Sequence, residues 1–554
     1  MNSGCHEPLT DCPVTISPLP FASEGLAAIV KLAQFRHLVR IALLFALLAP
    51  CMHANARSVY DRAFDEVTER YRLPGLAVGV IQNGKVIYRR TGGELVAGSG
   101  QRVTPDTLFK IASNSKAMTA SVLARLVDEG KLRWDDPVTR HLPAFRMYDP
   151  WVTREIQVRD LLIHNSGLRE GAGDLMLWPE PNHFTRADII AGLAFLKPRH
   201  SFRSHYDYDN LLYIVAGEVA AVAGGASYED LVRREVFEAV GLTRCQVGEF
   251  KRDEVGNVAQ PHMRQGDGNV MIRADEAVIP LATAAAAGGI RCSLNDLLKW
   301  ASLWLDADLR LPGTDQPYLS RAQHDAVWGH HTPLPISRRQ REWDNTRFNS
   351  YGFGWRISDI DGALRVAHTG TLAGMYSALV LLPEKRAAFV FLINGDGADA
   401  RTVLSQALVK HFTDPSHAKT VSFYADSVDE DRRARIQRSV PDLPPREPAS
   451  LAAVTPWLGV YRDPWFGEIS VCATARGVTF SSAKSPRLTG DVMSAGGKLL
   501  VDWTDDSVDA EPYLMFEAAS SSVPRALKMS KVDPTADFSY DFEDLSFTFV
   551  RNCP

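Results

Sequence analysis

Ser113 and Lys116 form a Ser-x-x-Lys pair whose side chains could carry out acyl transfer. Met118, Val122 and Leu126 recur every four residues after them, which predicts a helix that starts at Ser113 and places both side chains on one face. A serine hydroxyl is a good nucleophile only when a base removes its proton, and lysine can be that base only when its surroundings lower its pKa from about 10.4. A capping serine followed by a solvated lysine is the alternative for this spacing alone.

The same spacing occurs twice more, and context separates the three pairs. Ser416 and Lys419 lie in a segment rich in Pro, Asp and Arg, whereas Ser481 and Lys484 lie among short β-type segments. Only the pair at Ser113 begins a long amphipathic pattern, and the N–H groups at the start of such a helix could also bind an oxyanion. The sequence therefore indicates Ser113 as the candidate nucleophile.

Two later motifs add a phenol, an amide and an imidazole. Tyr208 and Asn210 precede a helical pattern; a phenol can relay protons, and an amide can hold both a lysine and a substrate carbonyl. His368 begins His-Thr-Gly at the end of a predicted strand, where the backbone could pair with an extended acyl substrate and glycine permits close approach. A turn with a packed aromatic ring and an ordinary strand-end histidine are the alternatives for each motif alone.

The segments that must position these motifs predict an α+β fold. Residues 76–81 and 85–88 flank Asn83-Gly84, a pair that suits the two positive φ angles of a type I′ hairpin. A middle section, about 110–310, alternates helical patterns with loops and predicts a helical subdomain. Three later β-type segments have connections too short for crossover helices, which predicts antiparallel pairing: 364–368, 376–382 and 387–393.

Residues 1–56 have the composition of a secretory leader. Basic residues precede an apolar run over 41–50, and small residues follow at 54–56, where a signal peptidase would cleave. The run is shorter than the roughly 20 residues that cross a bilayer. We therefore expect export to the periplasm or the medium, with an uncleaved anchor as the alternative.

The composition divides the remaining chain into three parts. Residues 57–412 contain the three motifs, 413–450 are typical of a linker with one polar helix, and 451–554 repeat short aromatic and β-branched segments between turns. The last part is predicted to be a small, barrel-like all-β accessory domain. Its Trp465 and Phe466 could bind a partner or the cell envelope, or could pack in the core.

Composition also excludes some functions. The 554 residues contain 61 Lys and Arg against 66 Asp and Glu, a net charge of −5, without the basic stripe that nucleic-acid binding needs. Four of the seven cysteines lie after the leader, too few for a disulfide scaffold, but an exported chain could pair them in three ways: Cys245, Cys292, Cys472 and Cys553.

Ser-x-x-Lys, Tyr-x-Asn and His-Thr-Gly, in this order, resemble the motifs of the serine penicillin-recognising enzymes, which include class C β-lactamases, DD-peptidases and related esterases. Residues 158–168 and Tyr351-Gly-Phe-Gly-Trp355 are also similar to family segments. The resemblance spans about residues 58–412, and the last hundred or so residues look like the β domain often fused to such hydrolases. It implies an antiparallel sheet flanked by helices, with a helical subdomain beside it.

The resemblance also implies a role for each motif residue. Ser113 would carry the acyl group, and Lys116 and Tyr208 would share proton transfer, with either of them as the acylation base. Asn210 would bind the lysine and the substrate. Backbone N–H groups of Ser113 and Thr371 would form the oxyanion hole. This chemistry requires no metal or organic cofactor. The substrate would lie along the end of one strand, at His368, Thr369, Gly370 and Thr371.

Two positions depart from the family pattern. Many β-lactamases of this type have lysine where His368 stands, and a histidine with a pKa of about 6.5 is mostly neutral at pH 7 and binds a carboxylate less tightly. Asp209 stands where small residues are more usual, and its charge could repel an anionic substrate. Among small acyl, peptide and β-lactam substrates we therefore expect peptidase or esterase activity; a β-lactamase proper and a non-catalytic penicillin-binding sensor are the alternatives.

Overall fold

The predicted leader, residues 1–56, lies outside the residues that the computed structural model of the protein describes, which are 58–439, 444–475, 477–519 and 525–554. Residues Val59–Pro554 belong to one compact unit. Within the described ranges, no single helix has the length and apolar composition needed to cross a membrane; one bent pair, Leu211–Gly224 with Tyr228–Glu238, meets that test only in combination.

An antiparallel sheet of eight strands organises the first part of the chain. The strands are β1 (Gly75–Gln82), β2 (Lys85–Gly93), β3 (Thr332–Pro333), β4 (Asn349–Tyr351), β5 (Arg356–Ile360), β6 (Ala363–Leu372), β7 (Met375–Leu382) and β8 (Ala387–Ile393). Their spatial order is β2-β1-β8-β7-β6-β5-β4-β3. The first hairpin and the last three strands therefore meet at β1 and β8, where Leu76 pairs with Ile393.

Turn residues set the register of this main sheet. Asn83 and Gly84 have φ angles of 52° and 74°, the two positive values of the predicted type I′ turn. The predicted antiparallel strands are also present, and β6 is longer than expected because its pairing with β7 continues to Leu372. The α+β fold class is thus confirmed.

Helices cover both faces of the main sheet. Val78 and Val80 of β1 pack into one apolar cluster with the helices Val59–Tyr71, Ala398–Thr413 and Val421–Ser439. Ala77 and Ile81 pack into another with the helices Ser115–Asp128 and Leu294–Leu305, so β1 is apolar on both sides. The longer helices are α1 (Val59–Tyr71), α2 (Ser115–Asp128), α3 (Leu211–Gly224), α4 (Leu294–Leu305), α5 (Ala398–Thr413) and α6 (Val421–Ser439).

The middle section forms the helical subdomain around α2 and α3. Shorter α-helices lie at Val138–His141, Pro150–Glu155, Arg186–Gly192, Tyr228–Val232, Arg252–Val255, Ala285–Gly288, Arg321–Val327, Arg338–Asp344 and, before the barrel, Leu451–Val454. Short strand pairs join Phe109–Lys110 with Arg291–Cys292, Phe250–Lys251 with Val278–Ile279, and His262–Gln265 with Gly268–Met271.

A closed β-barrel forms the end of the chain. Its strands are β9 (Gly459–Asp463), β10 (Gly467–Thr474), β11 (Gly477–Ser482), β12 (Thr489–Ala495), β13 (Lys498–Trp503), β14 (Pro512–Glu517), β15 (Ala526–Lys531) and β16 (Ser546–Arg551). Successive strands pair antiparallel, and β9 pairs with β16, which closes the ring and removes free strand edges. The barrel-like C-terminal part is confirmed; the linker limits, 413–450, stay a prediction, and α6 lies between them.

Two observations settle alternatives that the sequence left open. The cysteines pair as Cys245–Cys292 and Cys472–Cys553. Trp465 and Phe466 are 5% and 2% exposed, and the Phe466 ring packs 5.6 Å from that of Phe184 in the helical subdomain. The two rings therefore pack in the core, and the alternative that they are exposed for partner or envelope binding is wrong.

Candidate active site

Ser113 lies in a tight turn at the start of α2. The turn, Ala112–Asn114, is a 3₁₀ helix, and α2 begins at Ser115, two residues later than predicted. Ala112 has a φ of 47°, a left-handed conformation that is unfavourable for alanine. This conformation turns the chain from the strand Phe109–Lys110 into the helix, and Ser113 stands at the corner.

Gly370 brings strand β6 against this turn. A Cβ atom on Gly370 would lie 2.1 Å from the carbonyl oxygen of Ile111, so only glycine allows the two segments to come this close. Ser377 Oγ donates to the same carbonyl oxygen at 2.6 Å and accepts a hydrogen bond from Asn114 Nδ2 at 2.8 Å. The structure thus brings the His-Thr-Gly strand and the serine turn together.

Lys116 is 0% exposed, and its amine lies beside the candidate nucleophile. Nζ lies 3.2 Å from Ser113 Oγ and donates to Asn210 Oδ1 at 2.7 Å and to the Ala287 carbonyl at 2.8 Å. Burial lowers the pKa of Lys116 to about 7, with a smaller lowering by Arg356, although two nearby carboxyl groups raise it. About half of the molecules therefore carry a neutral amine at pH 7.

Tyr208 faces both members of the pair. Its ring centroid lies 4.8 Å from Lys116 Nζ, and its buried hydroxyl makes no hydrogen bond with the described residues, although Ser113 is among the groups that lower the phenol pKa. Burial has the larger effect and raises the pKa of Tyr208 above its ordinary value. Tyr208 is therefore a protonated phenol at neutral pH, which can donate a proton but is a poor base.

Asn210 joins the lysine to a buried carboxyl group. Its Oδ1 accepts from Lys116 Nζ, as predicted, and its Nδ2 donates to Asp174 Oδ2 at 2.9 Å. Asn210 is buried, at the first residue before α3. One of its two amide N–H groups is thus committed to Asp174, and a substrate carbonyl would have to use the other.

His368 is buried, and both ring nitrogens have partners in the protein. Nδ1 lies 2.7 Å from the Thr369 carbonyl and so donates, while Nε2 lies 2.8 Å from the Tyr351 hydroxyl and so accepts. Burial lowers the pKa of His368 well below its usual range, which leaves the ring neutral. Contact between His368 and a substrate would break one of these two hydrogen bonds. Thr369 and Thr371 are exposed on the same strand and are available to a substrate without such a loss.

Asp209 is not exposed to a substrate, contrary to the expectation that its charge could repel an anion. Its carboxyl group accepts from the Leu212 N–H and from Ser166 Oγ, each at 3.2 Å. Burial raises the pKa of Asp209 to about 6. The side chain points inward because it satisfies an N–H group in the first turn of α3.

Two charged residues of the site are missing from the sequence-based prediction. Asp174 is completely buried behind Asn210. The Arg356 guanidinium lies 5.8 Å from the Tyr208 ring, and among the described residues its Nε has no hydrogen-bond partner. Arg356 directly follows the family-like segment that ends at Trp355, which is a usable signal. Asp174 follows a glycine-rich loop, and no pattern in the sequence marks it.

Comparisons with known proteins identify a family and several relatives. The family model described as Beta-lactamase matches residues 60–414. The unguisins hydrolase of Aspergillus campestris is 26% identical over 64% of this chain and 65% of its own length, so this chain spans less than two thirds of that protein. Penicillin-binding protein 4 of Amycolatopsis lactamdurans is 26% identical over 62% of this chain and 86% of its own. A β-lactamase of Pseudomonas fluorescens is 30% identical over 45% of this chain and 64% of its own length.

Solved structures show the same fold. An octameric penicillin-binding protein homologue from Pyrococcus abyssi superimposes with a TM-score of 0.54 at 18% identity, covering 87% of this chain and 98% of that one. A class C β-lactamase from Rhodobacter sphaeroides superimposes with a TM-score of 0.51 at 22% identity, covering 64% and 99%. Because the family model covers more than half of the chain, including every motif described above, the protein belongs to the Beta-lactamase family of serine hydrolases.

Proposed function

We propose that the protein cleaves an ester or amide bond through an acyl-enzyme on Ser113. The position of Lys116 carries this proposal, because an amine with a pKa of about 7 lies 3.2 Å from the Ser113 hydroxyl. A solvated lysine is almost fully protonated at neutral pH and cannot accept a proton, whereas about half of the Lys116 side chains can.

In the proposed reaction, neutral Lys116 accepts the proton of Ser113 while Oγ forms a bond to the substrate carbonyl carbon. The carbonyl oxygen becomes an oxyanion, which the backbone N–H groups of Ser113 and Thr371 would bind. Tyr208 then gives its proton to the leaving group as that bond breaks, and takes a proton from the Lys116 ammonium group. Water then forms a bond to the acyl carbon as the neutral lysine takes its proton, and the bond to Ser113 Oγ breaks as the lysine ammonium group returns that proton to Oγ.

The two pKa shifts support Lys116 rather than Tyr208 as the acylation base. Burial moves Lys116 toward its neutral, basic form and moves Tyr208 away from its phenolate form. We therefore propose Lys116 as the base and Tyr208 as the proton donor to the leaving group.

We propose a small peptide or ester with a carboxylate near the scissile bond as the substrate. The neutral, hydrogen-bonded His368 supplies no positive charge, whereas Arg356 places a guanidinium beside Tyr208. Exchange of Arg356 for methionine should therefore raise KM for a substrate with a carboxylate and leave KM for a neutral ester nearly unchanged. β-Lactams rank below these substrates because position 368, where many β-lactamases of this type have a lysine, holds a buried, neutral histidine.

A panel of esters, D-peptides and β-lactams tests the proposal on the full chain. Ser113→Ala should abolish turnover and labelling by a serine-reactive probe, while Ser416→Ala, an exposed serine with the same spacing to a lysine, should change neither. Labelling that survives in Ser113→Ala contradicts the proposal. Rapid nitrocefin hydrolysis with poor ester turnover would reverse the substrate ranking. A stable penicilloyl adduct on the intact protein without turnover would indicate the sensor instead.

We also propose that the protein acts outside the cytoplasm. The disulfides Cys245–Cys292 and Cys472–Cys553 support this, because such bonds persist in oxidising compartments. Fractionation of the native host tests it: the protein in the periplasm or medium supports export, and the protein in the cytosol with free thiols contradicts it.

A further inference from the structure

A loop of the barrel reaches the hydrolase site. This barrel loop, residues 532–545, connects β15 to β16. Its Phe538 packs edge-on against Tyr208, with 5.9 Å between ring centroids. A Cβ atom on Gly171 would lie 2.6 Å from the Phe538 ring, so the glycine leaves the space that the ring occupies. The barrel loop therefore forms part of the wall beside the proposed proton donor.

Buried hydrogen bonds join the barrel loop to residues 173–175 of the helical subdomain. Asp541 is 0% exposed and accepts from the N–H groups of Gly173 at 2.6 Å and Leu175 at 3.0 Å. Ser539 Oγ donates to Asp174 Oδ2 at 2.8 Å. The loop thus binds both the backbone around residue 174 and the Asp174 carboxyl group itself.

These contacts form a continuous series of hydrogen bonds from the barrel to the lysine. Ser539 donates to Asp174, Asn210 Nδ2 donates to the same oxygen at 2.9 Å, and Lys116 donates to Asn210 Oδ1 at 2.7 Å. The Asp174 carboxyl group holds the amide of Asn210 with its oxygen toward the lysine, because the amide nitrogen is the donor to the carboxyl oxygen.

We propose that Ser539 of the barrel is a positioning residue for the hydrolase site, which acts through Asp174 and Asn210 to fix the position and electrostatic surroundings of Lys116. The proposal rests on the proposed function of Ser113 and Lys116. If Ser539 acts in this way, the barrel is a functional part of the enzyme, because one of its side chains is hydrogen-bonded to the lysine through Asp174 and Asn210.

Burial and hydrogen bonds from neighbouring groups shift the pKa of Asp174 in opposite directions. Burial raises its pKa well above the usual range, and the nearby Asp541 raises it further, while hydrogen bonds from Ser539 and Asn210 lower it. Loss of the Ser539 hydroxyl therefore favours the neutral acid. Because a charged Asp174 raises the pKa of Lys116, a neutral one lets the lysine pKa fall.

Within the described ranges, Ser539 Oγ hydrogen-bonds to Asp174 and to none of the other groups that face Lys116. Asp209 raises and Arg356 lowers the lysine pKa, and the ring centroids of Tyr208 and Tyr213 lie 4.8 Å and 5.1 Å from Nζ. Burial lowers the pKa of both His164 and His368, so neither adds a charge at neutral pH. A change at residue 539 therefore reaches the lysine through Asp174.

The pH dependence of kcat/KM in the full chain tests this. In Ser539→Ala the midpoint of the acid limb should move down by about half a pH unit, and kcat should fall severalfold. Ser539→Thr keeps the hydroxyl and should restore the wild-type midpoint. Ser546→Ala, an exposed serine on β16, is the matched control and should leave the profile unchanged. The same midpoint can be read from the rate at which a fluorophosphonate probe labels the protein.

An unchanged midpoint in a Ser539→Ala protein with wild-type thermal unfolding overturns the proposal. If Ser539→Ala does not fold, Asp174→Asn is the deciding variant, because asparagine keeps an acceptor for Asn210 and removes the charge. The midpoint of its acid limb should also move down. An unchanged midpoint in Asp174→Asn overturns the proposal. Turnover and labelling that survive in Ser113→Ala count against the proposed function instead, so the two failures are distinguishable.

Discussion

The same Ser-x-x-Lys spacing has different surroundings at Ser113 and at Ser481. Lys116 is 0% exposed and hydrogen-bonds to Ser113, whereas the Lys484 side chain is 37% exposed and pairs with Asp188 at 2.7 Å. Ser481 lies near the end of β11, and Lys484 lies two residues beyond that strand, so no helical turn joins the two residues. The comparison shows that a helical turn and burial, rather than the spacing, place a buried lysine amine beside a serine hydroxyl.

The largest expected effect separates the two serines. Ser113→Ala should lower kcat/KM by at least about a thousandfold, because it removes the atom that forms the acyl-enzyme. Ser481→Ala should stay within about twofold of wild type, since Ser481 lies in the barrel, where its Oγ hydrogen-bonds to Ser470 Oγ, and no residue of the candidate site contacts it through a hydrogen bond among those described. Steady-state kinetics with a chromogenic ester measures both. Equal losses in the two variants would show that position within the fold does not matter.

The two lysines should differ almost as much. Lys116→Met keeps the length and apolar character of the buried side chain but removes the base, and should lower kcat by about 10²- to 10⁴-fold. Lys484→Met breaks an ion pair that is partly exposed on both sides and should leave kcat unchanged. The same chromogenic assay compares them. A Lys116→Met enzyme with near-normal kcat would assign the base to another group.

The pH profile should show the titration of Lys116. Only the neutral amine accepts a proton, so kcat/KM should rise with pH through a midpoint near 7 and level off above it. Two pH units below that midpoint the rate should be about a hundredfold lower. Activity of a neutral ester measured from pH 5 to 9 checks this. A midpoint near 10 would mean that the lysine behaves as a solvated one.

A smaller effect should appear in stability. The folded pKa of Lys116 is about 7 and the unfolded value is about 10.4, so the folded state binds fewer protons between these values and its stability rises with pH there. Lys116→Met should therefore gain about 1–3 kcal/mol in the free energy of unfolding at pH 6, after the loss of its hydrogen bonds, and the gain should disappear above pH 10. Lys484→Met should change it by about 0–1 kcal/mol. Urea denaturation at pH 6 and at pH 10 measures the free energy of unfolding of each variant. A large decrease of that free energy in Lys116→Met at pH 6 would contradict the prediction.

Short-range patterns predicted much of the fold. Asn83-Gly84 sets a hairpin turn by its own backbone preferences, and short connections between 364 and 393 leave no room for crossover helices. The pairing of Leu76 with Ile393, by contrast, joins residues more than 300 positions apart and follows from no local pattern. The disulfide pairing also follows from the tertiary structure, because separations of 47 and 81 residues along the chain do not favour one pairing of the four cysteines over another.

For the candidate site, the sequence by itself determined which chemical groups are present and which of them share a helical turn. Ser113 and Lys116 are three residues apart, so helical geometry alone brings them together. Only the tertiary structure decided that Lys116 is buried, that Asp209 turns inward, and that Ser539 of the barrel contacts Asp174. Proton affinity depends on dielectric surroundings and on charges within a few ångströms, and here those surroundings come from segments distant along the chain.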